Sequence, residues 1–249
     1  KIMPQEKKIY GLIGKNISYS FSKKYFTQKF KKIKLTNCEY NNFDISSLDE
    51  FDILKKDSLI RGLNVTIPYK EKIIPRLDSL DLEAEKIGAV NTIKIDSNNK
   101  LKGYNTDYLG FLNSIKKYVK KDHKKAILLG SGGASKAIIY ALEKINISSS
   151  IVSRSNIKGD LTYEDLNSNI IEKYQIIINC SPKGTYPNVN DCPDIPYKKI
   201  SERHICYDLI YNPEETMFLK KCKKRGATVI NGIKMLEIQA DESWKIWNL

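Results

Sequence analysis

Two residues in this chain have the type and setting for proton chemistry: Lys70, which ends "GLNVTIPYK", and Asp107, in "GYNTDYLGF". A lysine beside a carboxylate stays charged, can hydrogen-bond a carbonyl oxygen and can hand over a proton. Each residue also has a plainer reading. Lys70 leaves a strand-like run into a polar loop, where a solvated lysine is ordinary. Asp107 stands at the entrance to a helix, where the dipole favours an acid. Nearby segments carry side chains suited to a hydroxylated, anionic small molecule. Thr66 leaves the same strand as Lys70, with Asn64 two residues before it. Asn91, in "GAVNT", has an amide that both donates and accepts. Ser20 and Ser22, in "SYSFS", precede a helix, so capping is the competing use of their hydroxyls.

A second constellation points to a dinucleotide. In "AILLGSGGASKAII" an apolar strand ends in Gly130, followed by Ser131, Gly132, Gly133 and Ala134 and then an amphipathic helix. Glycines there permit a tight turn and close approach of backbone N–H groups to a pyrophosphate, with the helix N-terminus beneath it. The competing reading is a turn that only packs helix on strand. The next strand ends in "VSRSNIK", with Ser153, Arg154, Ser155 and Lys158 and no acid. An NAD site usually carries Asp or Glu there for the ribose 2′-OH, whereas Arg154 and Lys158 suit a 2′-phosphate. NADP is therefore expected over NAD, against the alternative of two exposed basic residues.

Composition narrows the class. The 249 residues are 41% hydrophobic, enough for a real core, and no apolar run approaches the roughly 20 residues that cross a bilayer. The first residues, "KIMPQEKKIYGLIG", lack the pattern of a signal peptide. Five scattered cysteines with no C-x-x-C pair suit reduced thiols in a cytoplasm. With only His123 and His204 available, neither a metal cluster nor a histidine-based triad is expected. The net charge of +13 is spread along the chain. It suits anionic small molecules, and neither nucleic acid nor a membrane is expected as a partner.

These residues must be positioned by alternating strands and helices. "KIYGLIG", "CEYNNFDI" and "IRGLNVTIP" read as strands with helices between them, and "AVNTIKID" with "KLKGYNT" as a hairpin. Beyond Thr106, "KKAILLG", "SSSIVSR", "YQIIINCS", "HICYDLIY" and "ATVIN" are strands of a second unit. There "PEETMFLKKCKKRG" reads as a helix with Pro at its start. The expected fold is α/β in two lobes with largely parallel sheets. Residues 1–106 form the first lobe, 107–231 a Rossmann-type lobe, and 232–249 a helix returning to the first.

The ordered segments "YGLIG…SYSFS", "GLNVTIPYK", "GAVNT", "GYNTD", "GSGGASKA", "NCSPKG", "YDLIYNPEET" and "NGIKMLEIQA" resemble the shikimate dehydrogenase family over almost the entire chain. The resemblance implies NADPH-dependent reduction of 3-dehydroshikimate to shikimate, with a substrate lobe followed by an NADP lobe. It implies Lys70 and Asp107 as the catalytic pair. It gives Ser20, Ser22 and Tyr211 to the substrate carboxylate and Thr66, Asn91 and Gln239 to the ring hydroxyls. The residues from Gly130 to Ala134, with Ser153, Arg154, Ser155, Lys158, Leu209 and Gly232, would line the cofactor. A monomer or homodimer is expected. Rival readings are a broader quinate/shikimate dehydrogenase and a non-catalytic basic nucleotide- or nucleic-acid-binding protein. The sequence departs from the family at Asn16, where proline is common, at Tyr19 and Lys23 around the Ser-x-Ser, and at Cys180-Ser181. Missing prolines predict a less constrained loop ahead of Ser20.

Overall fold

Short apolar runs separated by helices build two sheets in the computed structural model, which describes residues 6–18, 20–155 and 157–249. The chain divides into two units, Lys1–Thr106 with Gln239–Leu249, and Asp107–Ile238. In the first, β1 (Lys8–Gly14), α1 (Phe21–Lys32), β2 (Cys38–Asp44), α2 (Leu48–Leu54) and β3 (Ile60–Val65) come in turn. They are followed by β4 (Ser79–Leu80), α3 (Leu82–Ile87), β5 (Thr92–Ile95) and β6 (Leu101–Tyr104). The strand order is β2-β1-β3-β5-β6-β4. β1 pairs in parallel with β2 and β3, while the β5–β6 hairpin runs antiparallel and joins β3 antiparallel. Alternation along β1 sends Tyr10 and Leu12 to one apolar layer and Ile9 and Ile13 to the other.

The second unit holds α4 (Asp107–Ile115), β7 (Lys125–Leu129), α5 (Gly133–Glu143), β8 (Ser148–Ser153), β9 (Leu161–Thr162) and α6 (Ser168–Lys173). It continues with β10 (Ile176–Asn179), β11 (Ile205–Asp208), α7 (Met217–Lys223) and β12 (Thr228–Ile230). Its strands are ordered β12-β11-β10-β7-β8-β9, and every pairing is parallel. Read from β7, this is the doubly wound order, with its switch point between β7 and β10. Burial on both faces explains the near-continuous apolar strands. Ile176 and Ile178 enter one core and Ile177 the other, as Ala126 and Leu128 do against Ile127 and Leu129. The two-lobe α/β expectation is met. The helix expected over "PEETMFLKKCKKRG" begins later than its proline suggests: Thr216 caps α7 by accepting from Leu219 N, and Pro213 lies ahead of the helix in an irregular turn. Neither β9 nor α6 was expected; both lie in polar sequence, and Asn167 caps α6.

α8 (Ile233–Trp247) starts in the second unit and belongs to the first from Gln239 onward. There Trp247 donates from Nε1 to the Ile93 carbonyl at 3.0 Å and stacks on Tyr10 with ring centroids 4.9 Å apart. Asp241 accepts from Tyr25 Oη at 2.7 Å and from Lys29 Nζ. Gly62 leaves room for the indole, since a Cβ there would lie 2.3 Å from Trp247 Cδ1. Gly62→Ala is therefore expected to cost about 1–3 kcal/mol through overpacking. The loss should appear as a lower urea midpoint; an unchanged midpoint would mean that the ring does not cover Gly62 in solution.

Candidate functional site

In the first unit a buried polar network runs behind the strand ends. Asn64, on β3, accepts from Tyr40 Oη at 2.8 Å. Its amide nitrogen faces three acceptors, the Asn91 carbonyl at 3.2 Å, Thr92 Oγ1 at 3.2 Å and Ser243 Oγ at 2.9 Å. Asn91 in turn accepts from Thr106 N at 2.7 Å and donates to Thr106 Oγ1 at 2.9 Å and Gln239 Oε1 at 3.4 Å. Ser243 donates to the Gln239 carbonyl one helical turn back. All these side chains are buried, where an unpaired amide would be costly, so their mutual bonds fix one arrangement. Three segments distant in sequence (β3, the β5–β6 hairpin and α8) are thereby held in register.

Lys70 is half-buried in the turn region after β3, and its carbonyl accepts from Val90 N at 2.8 Å, which ties it to the "GAVNT" segment. Thr66, also half-buried, donates its backbone N–H to Ile13 O at 2.8 Å. Ser20 caps α1, accepting from Ser22 N at 3.1 Å, so the capping reading holds for that hydroxyl. Ser22 is buried beside Tyr40. Burial drives the Tyr40 phenol far above its usual range, and the Ser22 hydroxyl acts in the opposite direction.

The loop ahead of Ser20 is not slack where its prolines are missing. The Asp44 carboxylate accepts from Asn16 N at 2.9 Å and Ile17 N at 3.2 Å, and Asn42 Nδ2 donates to Ile17 O at 3.0 Å. Asn16 has φ of 58°, a left-handed conformation closed to proline, which also lacks the N–H that Asp44 receives. Lys23 is an exposed residue of α1, and Tyr19 lies outside the described residues.

In the second unit Asp107 is buried as the first residue of α4. Gly130, directly after β7, has φ of 113°, which only glycine adopts readily, and a Cβ there would lie 3.1 Å from Ser181 N. Ser131 and Gly132 are exposed, Gly133 and Ala134 open α5, and no side chain caps that helix. A Cβ on Gly132 would approach nothing nearer than the Cys180 carbonyl at 3.9 Å. A left-handed glycine, an uncrowded Gly132 and an uncapped helix N-terminus fit a pyrophosphate. Arg154, Ser155 and Lys158 are exposed past β8. Ser153 differs: it is buried, and its hydroxyl donates to Ser155 O and accepts from Ser155 N at 3.1 Å, so it builds the turn. Leu209 and Tyr211 are half-buried after β11, and Gly232 is buried after β12.

Residues 12–93 match the model of the shikimate dehydrogenase substrate binding domain. The shikimate dehydrogenase (NADP(+)) of Clostridium botulinum strain Hall is 40% identical over 250 residues, covering 96% of each protein. The chain belongs to the shikimate dehydrogenase family. A solved shikimate dehydrogenase from Aquifex aeolicus shares 35% identity and a TM-score of 0.84, over 97% of this chain and 92% of that one. A shikimate dehydrogenase solved in complex with NADP+ shares 33% identity and a TM-score of 0.85, over 97% and 90%. The family likeness therefore spans both units.

Tyr40, Thr92, Thr106 and Ser243 were not singled out from the sequence. The signal was present for Ser243, which follows Gln239 by four residues and so shares its helix face. Among the described residues, no group of three or more His, Cys, Asp or Glu side chains is arranged to hold a metal ion, and no helix is long and apolar enough to cross a membrane.

The network makes a coupled stability prediction. Asn64→Leu removes both the acceptor of the buried Tyr40 hydroxyl and the amide that faces Asn91 O, Thr92 Oγ1 and Ser243 Oγ, so it should cost more than the roughly 1–3 kcal/mol of one orphaned group, whereas adding Tyr40→Phe should cost little more. Thermal denaturation of the four proteins in the cycle measures the coupling; simple additivity would show that the two side chains share no bond.

Proposed function

We propose that this protein is an NADP-dependent shikimate dehydrogenase, reversibly reducing 3-dehydroshikimate to shikimate in the route to aromatic amino acids. The observation that carries this reading is the 40% identity to a curated shikimate dehydrogenase (NADP(+)) across 96% of both chains. Residues 1–106 are the substrate-binding domain and 107–231 the NADP-binding domain, and the C-terminal helix completes the substrate side. NADPH, when bound, supplies the hydride for the carbonyl carbon. Lys70 donates a proton to the carbonyl oxygen, with Asp107 as its acid–base partner. Ser20, Ser22 and Tyr211 take the substrate carboxylate, and Thr66, Asn91 and Gln239 take ring hydroxyls.

What supports the assignment of Asn91 and Gln239 is that the two side chains meet, Asn91 Nδ2 donating to Gln239 Oε1 at 3.4 Å, with further buried partners on Asn91 that fix its orientation. On the cofactor side, Gly130 to Ala134 cradle the pyrophosphate. Exposed Arg154 and Lys158 suit the 2′-phosphate, while the Ser153 hydroxyl is already engaged in the turn. Leu209 and Gly232 line the cofactor. The cytoplasm suits five free thiols, and a monomer or homodimer meets the needs of this chemistry.

The function is tested by loss of NADPH absorbance with 3-dehydroshikimate; no turnover with that substrate would refute it. Lys70→Ala should lower kcat by about 10²–10⁴-fold while NADPH still binds. Near-normal kcat in the folded variant would remove Lys70 from the chemistry. Arg154→Ala should raise KM for NADPH by roughly 10- to 100-fold and leave KM for NADH nearly unchanged. Equal losses for both cofactors would mean that Arg154 supports the loop and does not read the phosphate.

A further inference from the structure

Asp208 ends β11 fully buried, and its carboxylate accepts from Thr216 Oγ1 at 2.6 Å, Ile210 N at 3.0 Å and Asn179 Nδ2 at 3.1 Å. These three partners are uncharged, so the site holds a carboxylate on neutral donors, an expensive arrangement for stability. Asn179 is equally buried at the end of β10. Its Oδ1 accepts from Ser181 N at 3.0 Å and Ser181 Oγ at 2.6 Å, and its Nδ2 also donates to Lys183 O at 3.3 Å. The pair thus ties the loop after β10 to the loop after β11. Backbone bonds extend the tie: Leu209 N donates to Asn179 O at 3.1 Å, Gly232 N to Ile210 O at 3.0 Å, and Tyr186 N to Asn212 O at 3.2 Å. The Leu209 carbonyl sits so close over Gly232 that a Cβ there would lie 2.0 Å from it.

We propose that Asp208 is a positioning residue whose carboxylate sets the segment carrying Leu209 and Tyr211, and with it Gly232, in the geometry that cofactor and substrate binding require. This rests on the shikimate dehydrogenase reading above. An acceptor-only group is what the surroundings demand. Thr216 Oγ1 already accepts from Leu219 N at 3.3 Å, Asn179 offers Nδ2, and Ile210 offers a backbone N–H. An amide in place of the acid could keep its oxygen on Ile210 N and Asn179 Nδ2 but would turn its N–H toward Thr216 Oγ1, so the hydroxyl would have to accept there and give up the bond that it now donates to Asp208. The charge is therefore kept at the expense of stability because it fixes the loops.

Titration gives the inference a signature. Burial pushes the Asp208 carboxyl up to about 6, against the three hydrogen bonds that lower it. The titratable groups electrostatically coupled to it are the thiols of Cys180, in the loop after β10, and Cys222, on α7. Burial pushes both upward, so they stay neutral while Asp208 titrates. With a folded value above its unfolded one, Asp208 favours the fold when protonated. That contribution is fully present below the unfolded carboxylate range and is lost as pH rises through about 6.

Asp208→Asn separates positioning from mere support. Near neutral pH the variant should melt no lower than the wild type, because it removes a buried charge, while KM for NADPH and for 3-dehydroshikimate rises about 5- to 10-fold. In the wild type both KM values should climb as pH falls through about 6, and the variant should lack that component. Titration of the NADPH 2′-phosphate is common to both proteins. Unchanged KM values, or a variant that only melts earlier with wild-type kinetics, would overturn the proposal. Should Asp208→Asn fail to fold, Thr216→Val must raise both KM values and Thr216→Ser must restore them; equal values overturn it. Wild-type turnover tests the parent reading separately, and NADPH fluorescence titration reads the cofactor side without turnover.

Discussion

The first unit depends on one buried amide. Asn64 is the penultimate residue of β3, flanked by the apolar Leu63 and Val65, and its bonds reach β2 through Tyr40, β5 through Thr92 and α8 through Ser243. Hydrophobic burial drives these elements together, but it is non-directional and tolerates small shifts in register. Buried amides tolerate less, because each lost partner costs about 1–3 kcal/mol. The network therefore converts an apolar collapse into a single alignment, and the residues aligned, Asn91 and Gln239, are those assigned to the substrate hydroxyls. The aromatic layer around Trp247 supplies the adhesion and the amides supply the register.

The second unit solves a similar problem with a charge. Its all-parallel sheet gathers the strand ends on one edge, where the β7 and β10 loops approach each other closely enough for Gly130 to face Ser181. Backbone conformation alone shapes the turn proposed to hold the pyrophosphate, through the left-handed Gly130 and an α5 start that no side chain caps. The loops after β10 and β11 have no such regularity, and a buried carboxylate organises them instead. Neutral amides align the strands and helix of the first unit; in the second, one carboxylate accepts from donors on three separate segments.

Much of this was legible in the sequence, for physical reasons that differ by element. β7, β10 and β11 stand out because strands buried on both faces must be continuously apolar. The Gly130 turn is legible because few residues tolerate its φ. The Ser20 cap and the Ser22 contact were harder to separate, since one short motif serves both purposes. Asp44 was not legible as the clamp on the Asn16 loop, because the partners lie 28 residues apart. The same holds for Tyr40 and Ser243, whose importance arises only when β2 and α8 are brought to Asn64. The late start of α7 escaped because a proline usually marks the first helical turn, whereas here Thr216 both caps the helix and serves Asp208. Local chemistry reads from the chain; partnership across the fold does not.

The bonds of Asn91 to Thr106 N and Val65 N hold the Asn64 network in one alignment that needs no ligand. Backbone amide exchange at Thr106 and Val65 tests this directly, because Thr106 N donates to the Asn91 side chain at 2.7 Å and Val65 N to the Asn91 carbonyl at 2.8 Å. Preorganisation predicts slow exchange at both amides in the ligand-free protein and little further protection on adding shikimate. Fast exchange that slows only when shikimate is added would contradict it, and would make the network a product of binding.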